Sequence, residues 1–188
     1  MQLLNVTREN EQLLAKAALA DSIAVDRIVK LRNALNGTAP SDSLWFWVKR
    51  SFVGGDFDPL LGVYEAVIQN GSANLIQNDS LRDMVSRVTG VMIGTVEQMR
   101  GLQPLVLPVA AASGYRMESQ GLTFSRPTIT PDEIRLLQND TELKRDIYFL
   151  WPFHGRHGIL TRRALASIMS LRKALERELD VPAVEPRP

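Results

Sequence analysis

One amphipathic stretch at the start of the chain sets the strongest limit on its fold. Over residues 2–36 apolar side chains recur at intervals of three and four positions, which predicts a single long helix. A helix of about 33 residues is roughly 50 Å long. A compact sphere formed by a chain of this length would be only about 41 Å across. The sequence therefore predicts an elongated bundle, with the buried stripe Leu13, Ala17, Ala20, Ala24, Ile28, Leu31 and Leu35.

The middle of the chain predicts short helices and one further long helix. A short aromatic helix over 44–52 is followed by a third helix that begins at Asp58-Pro59, and a capping box at Ser80–Asp83 opens the next long stripe. Pro104 and Pro108 are expected to kink or end that helix. Residues 113–129 then predict a loop, with a short extended piece over 122–125.

The last third of the chain carries two helix-start signals. Thr130-Pro131-Asp132-Glu133 is a capping box with proline at the first helical position, and Asn139–Glu142 resembles a second cap. Trp151-Pro152 and the glycines at 155 and 158 are expected to interrupt the helix that follows. We therefore predict an all-α, elongated antiparallel helical bundle with two or three long helices and short helices at one end. Residues 1–180 form its single domain, and 181–188 form a proline-rich tail.

Composition excludes several kinds of site. The chain has no cysteine, so it has neither disulfides nor thiolate zinc ligands, and its formal net charge is only +1. It contains no nucleophile–base arrangement, no phosphate-binding glycine loop and no cofactor motif. These features argue against an enzyme and predict no cofactor.

The only two histidines, His154 and His157, lie three positions apart. On a helix this spacing allows two imidazoles to share a metal ion. The sequence offers no nearby carboxylate at a matching spacing, so they are weak metal candidates. The alternative is that they are polar residues of an interrupted helix.

A basic segment over 156–173 contains Arg156, Arg162 and Arg163. Such residues could contact phosphates of nucleic acid, or the anionic surface of a membrane. Acidic residues follow closely, which favours a solvated helix face and disfavours nucleic acid.

Aromatic residues form the remaining candidate surface. Trp45, Trp47, Phe52 and, on the next helix, Tyr64 could bind a ligand or a protein partner. More often a cluster of this kind anchors a short helix to the core of a bundle. Self-association is also expected for a bundle with long apolar stripes.

Two stretches of the chain resemble a family of uncharacterised bacterial helical proteins. The first is Val63–Gly71, followed by Leu75–Asn78 and Leu81-Arg82. The second is Leu136–Leu143, with a C-terminal helix that ends at Leu175–Leu179. The resemblance implies a helical bundle at the extracytoplasmic face of a bacterial membrane, with a transmembrane tether upstream of Met1. The chain departs from the family pattern at Pro104, Pro108 and Trp151-Pro152.

These observations favour a non-enzymatic helical interaction or sensory module that is membrane-tethered in its native form. The alternative is a soluble helical regulator that uses the basic segment 156–173 on nucleic acid.

Overall fold

The fold is all-α. The computed structural model describes residues 1–38, 44, 58–69, 76, 78–122 and 128–180, and within these ranges it has helices and no strand. The helices are α1 (Gln2–Leu35), α2 (Gly62–Gln69), α3 (Asp79–Ser119), α4 (Pro131–Asn139) and α5 (Thr141–Glu178). The predicted helical bundle is confirmed. Among the described residues, no helix is sufficiently long and apolar to cross a bilayer.

The predicted end of α3 at Pro104 or Pro108 was wrong. Helix α3 continues through Pro104 and Pro108 to Ser119, so the predicted loop from residue 113 is helical in its first part. Both prolines are exposed, and water can therefore satisfy the carbonyls that lose an amide partner. Buried residues on either side, such as Met99 and Met117, hold the helix in place.

Helix α5 is likewise unbroken, although Trp151-Pro152 was expected to interrupt it. Pro152 is exposed, and buried residues flank it along the helix. Two start positions also differ from the prediction. Helix α2 begins at Gly62 rather than at Asp58-Pro59. The cap of α3 is Asn78, whose Oδ1 accepts a hydrogen bond from the Leu81 amide at 3.1 Å.

Helix α4 begins as the sequence predicts. Thr130 and Glu133 form the reciprocal capping box, and Pro131 occupies the first turn. Helix α5 is capped by Asp140, whose Oδ1 accepts a hydrogen bond from the Leu143 amide at 2.8 Å. The predicted aromatic helix and the extended piece over 123–125 lie outside the described residues, although Leu44 is helical and buried.

Buried positions along α1 and α5 alternate at spacings of four and three, the pattern of a coiled-coil seam. In α1 the buried seam is Leu4, Thr7, Asn10, Leu14, Ala17, Asp21, Ala24, Ile28, Leu31 and Leu35. In α5 the same spacing runs through Leu143, Ile147, Leu150, His154, His157, Thr161, Ala164, Ile168, Leu171 and Leu175. All of these residues are buried except His157, which is partly buried. Most seam positions are apolar, so the polar ones stand out.

The contacts divide the chain into two compact units. Unit 1 contains residues 1–18, 56–98 and 159–188, and unit 2 contains residues 19–55 and 99–158. In each unit α1 and α5 run antiparallel. In unit 1, Arg8 contacts Glu176 and Glu11 contacts Arg172. In unit 2, Asp21 contacts His157 and Asn36 contacts Tyr148.

Each unit has its own buried residues. In unit 2 an apolar cluster joins α1, α3, α4 and α5 and contains Ile28, Leu31, Leu35, Met117, Leu137, Leu143, Ile147 and Leu150. In unit 1 the buried residues include Leu14, Tyr64, Val85, Met92, Ile168 and Leu171.

Candidate functional site

A buried carboxylate meets a histidine in the seam of unit 2. Asp21 is fully buried on α1, and its Oδ2 lies 2.7 Å from Nδ1 of His157 on α5. A carboxylate accepts hydrogen bonds, so this contact assigns the proton to Nδ1.

A second histidine lies one turn earlier on the same face of α5. His154 is only 7% exposed, and its Nε2 has no hydrogen-bond partner among the described residues. An unpaired buried polar atom is costly in a protein interior. We define Asp21, His154 and His157 as the histidine–aspartate cluster.

Burial controls the protonation of His154. Loss of solvation on burial lowers the pKa of His154 below its ordinary value of 6.5, because the imidazolium form is the one that burial disfavours. Asp21 acts in the opposite direction and raises this pKa, and His157 lowers it further. His154 is thus held neutral in the fold, close to a carboxylate that would attract its charged form.

The arrangement differs from a metal site. In the part of the chain that the structure describes, no three histidine or carboxylate side chains are placed to hold a metal ion. The side chain of His157 is 19% exposed, so the cluster borders solvent on this side. The cluster therefore combines a buried histidine, His154, with a buried carboxylate in a seam that is mostly apolar.

Sequence reasoning missed Asp21, which supplies the carboxylate that the two histidines lacked. The predicted stripe used Leu13 and Ala20, both of which are only partly buried. A strict four–three spacing from Leu14 through Ala17 to Ala24 would have placed Asp21 in the buried seam. A charged residue at such a position needs a partner, and this requirement was the available signal.

The predicted aromatic residues fall in two places. Trp45, Trp47 and Phe52 lie outside the described residues. Tyr64 is fully buried in unit 1, and its hydroxyl donates a hydrogen bond to Thr7 Oγ1 at 2.8 Å. Burial raises the pKa of Tyr64, against the smaller lowering effects of Thr7 and Asn10. Tyr64 is therefore a core residue, and its burial does not support the prediction that it binds a ligand or a protein partner.

The predicted basic residues are on the surface. Arg156 in unit 2 and Arg162 and Arg163 in unit 1 are exposed. Arg172, within the same basic segment, instead lies in an ion network of unit 1. Its Nε is 2.6 Å from Glu11 Oε2, and its Nη1 is 2.8 Å from Glu176 Oε2.

A second polar cluster lies between α3 and the start of α5 in unit 2. The Ser113 hydroxyl donates to Asp146 Oδ2 at 2.6 Å, and Arg116 approaches the same oxygen at 3.3 Å. Arg116 also lies 3.4 Å from Glu142 and 3.8 Å from Asp140. Opposite charges compensate one another here, so the cluster is typical of a structural network.

The comparisons with known proteins add no relative. No family model, no curated protein and no solved structure matches the chain. The resemblance to a bacterial helical family therefore depends on the quoted turn and cap motifs alone.

Proposed function

We propose that this chain is a non-enzymatic helical interaction or sensory module, membrane-tethered in its native form, whose sensed signal is acidity. The observation that supports the proposal is the histidine–aspartate cluster at the centre of a helical seam. A titratable cluster inside a packing seam couples the charge of the cluster to the packing of the helices.

The direction of the response follows from burial. Protonation of His154 places an imidazolium in a site that disfavours charge, beside His157 on the same helix face. His157 further disfavours a charge on His154, and the attraction of Asp21 does not overcome the loss of solvation. Acidification is therefore expected to loosen the packing of α1 against α5 in unit 2.

Hydrogen–deuterium exchange tests this response directly. Between about pH 7.5 and about pH 5.5, where histidine titrates, amides in 19–35 and 143–158 should exchange faster at the lower pH. Rates are corrected for the intrinsic pH dependence of exchange. The matched control is His154→Gln/His157→Gln, which removes both histidines of the chain and should exchange equally at both pH values.

Two outcomes would count against acid sensing. One is an unchanged exchange rate in the unaltered protein, and the other is an equal increase in the histidine-free variant. If the double variant folds poorly, His154→Gln alone removes the buried imidazole and serves the same comparison.

The membrane tether is a separate part of the proposal. It is supported by the family resemblance described above, and it predicts that the native gene product is recovered with the membrane fraction. Recovery in the soluble fraction of fractionated cells would argue against it.

The alternative function, a regulator that binds nucleic acid through the segment 156–173, has weaker support. Arg156, Arg162 and Arg163 are exposed, but Arg172 is neutralised by Glu11 and Glu176. A gel-retardation assay at about 50 mM salt, where phosphate contacts are strongest, should show no shift. A shift that disappears as salt is raised would favour the alternative.

A further inference from the structure

Helix α5 carries a second unusual feature in unit 2, on the part of its surface that lies outside the seam. Residues advance by about 100° per position along a helix, so Tyr148, Phe149 and Pro152 point away from Leu150 and His154. Tyr148 is 50% exposed, Phe149 is 40% exposed and Trp151 is 41% exposed. Three large aromatic side chains within four positions thus remain in contact with solvent.

One arginine lies over two of these rings. The Arg32 guanidinium of α1 lies 5.2 Å from the centre of the Trp151 ring and 5.9 Å from that of the Tyr148 ring. Stacking of this kind orients an arginine while leaving its charge available. We define the outward face as Arg32, Lys144, Arg145, Tyr148, Phe149, Trp151 and Arg156.

The charge of the outward face is largely uncompensated. Arg145 pairs with Glu142 at 3.1 Å. By contrast, Arg32, Lys144 and Arg156 have no ion pair in the described ranges. Arg32 contacts two of the rings, Lys144 lies four positions before Tyr148, and Arg156 lies seven positions after Phe149. Among the described residues these three cations thus give the outward face a positive charge, although the chain as a whole is almost neutral.

We propose that the outward face of unit 2 docks on an anionic lipid surface. Tyrosine and tryptophan prefer the boundary between lipid headgroups and acyl chains, where an apolar ring and a polar group are both accommodated. Arginine and lysine extend their charged ends toward lipid phosphates while their stems lie along apolar surface. This contact does not depend on protonation of the histidine–aspartate cluster.

Vesicle flotation tests the proposal with a defined probe. The full chain should float with vesicles of phosphatidylcholine containing about one third phosphatidylglycerol, and should remain unbound with phosphatidylcholine alone. Binding should fall as salt is raised, because salt screens the attraction. The variant Arg32→Gln/Arg156→Gln should bind about thirtyfold more weakly, since each basic residue near the surface contributes about fivefold.

A matched control separates the effect of the outward face on vesicle binding from the effect of net charge. Arg87 and Arg100 are exposed on α3 and lie outside the outward face. The variant Arg87→Gln/Arg100→Gln loses the same charge and should keep most of the binding. Circular dichroism of both variants verifies that the helices are intact.

The fluorescence of Trp151 reports contact with the vesicle without a change to any residue of the outward face. The chain has three tryptophans, so Trp45→Phe/Trp47→Phe leaves Trp151 as the only indole. Its emission should shift to shorter wavelength on addition of anionic vesicles, and brominated lipid should quench it.

Three results would overturn the proposal. They are no flotation with anionic vesicles at low salt, equal flotation with neutral vesicles, and a Trp151 emission that does not change on binding. The first would leave a protein partner as the occupant of these aromatic and arginine side chains, which are also enriched at protein interfaces.

Discussion

Two polar residues in the α1 seam, Thr7 and Asn10, are hydrogen-bonded to the segment over 60–64. Asn10 is fully buried, and its side chain makes two hydrogen bonds with the backbone of Leu60, at 2.8 Å to the amide and at 3.1 Å to the carbonyl. The Thr7 hydroxyl accepts a hydrogen bond from the Tyr64 hydroxyl and donates one to the Leu3 carbonyl at 2.7 Å. These contacts attach the segment that contains Leu60 and Tyr64 to α1.

Substitution of Asn10 by alanine should therefore destabilise the protein. The change leaves the Leu60 amide and carbonyl without their partner, at a cost of about 2 kcal/mol of unfolding free energy. Urea denaturation followed by circular dichroism measures the loss. Asn5→Ala, at an exposed position of the same helix, should change stability by less than about 0.5 kcal/mol. Equal effects of the two substitutions would show that the Asn10 contacts contribute little.

At the scale of the element, the long helices keep residues that ordinarily end helices. Pro104, Pro108 and Pro152 are all inside helices and all exposed. An internal proline removes one backbone hydrogen bond and crowds the preceding turn. In α3 and α5, buried residues on both sides of each proline pack against other helices and offset this loss. Local helix preference therefore does not decide where α3 and α5 end.

Replacement of Pro104 by alanine should stabilise α3. An alanine amide at 104 can bond to the Arg100 carbonyl, and the intrinsic preference for helix improves by about 3 kcal/mol. Loss of proline also raises the conformational entropy of the unfolded chain, which favours unfolding by about 1 kcal/mol. We therefore expect the free energy of unfolding, measured by urea denaturation, to rise by about 2 kcal/mol.

The matched control for this prediction is Pro131→Ala. Pro131 occupies the first position of α4, where an amide would have no partner within the helix. This substitution should leave stability unchanged or slightly lower. A Pro104→Ala variant that is no more stable than the unaltered chain would mean that the packing of α3 requires proline at this position.

At the scale of the whole molecule, stability should fall in two steps as pH is lowered. In unit 2 the pKa of His154 is lowered by burial, so the unfolded chain binds a proton near pH ~6.5 before the folded chain does. The stability present above that pH is then lost as pH falls toward the lower folded value. His154→Gln/His157→Gln should remove this step.

The second step belongs to the ion network of unit 1. Burial of Glu176 opposes its charged form, but hydrogen bonds from Arg172 and Arg8 outweigh that effect and lower the pKa of Glu176 below 4.5. The same pairing raises the pKa of Arg172 in spite of burial. Stability from Glu176 is therefore present above about pH 4.5 and lost as pH falls further. Glu176→Gln should weaken this step alone, measured as urea midpoints at a series of pH values.

Much of the fold could be predicted from the sequence because its signals are local. The stripe in α1 and the capping box at Thr130 each depend on residues within a few positions of one another. Helix, cap and turn are short-range structures, so a linear pattern predicts them well.

Tertiary structure decided the rest. Pro104 and Trp151-Pro152 are tolerated because distant residues pack on the same helix, and no local pattern reports that support. Asp21 meets His157 across 136 positions of sequence, so only the antiparallel packing of α1 and α5 brings them together. The outward face likewise exists because Arg32 of α1 reaches the rings of Tyr148 and Trp151 on α5. By itself the sequence determined the helical class of the fold and the start of α4, because caps and apolar periodicity are local. Helix packing determined how far α3 and α5 extend and which polar residues share one environment.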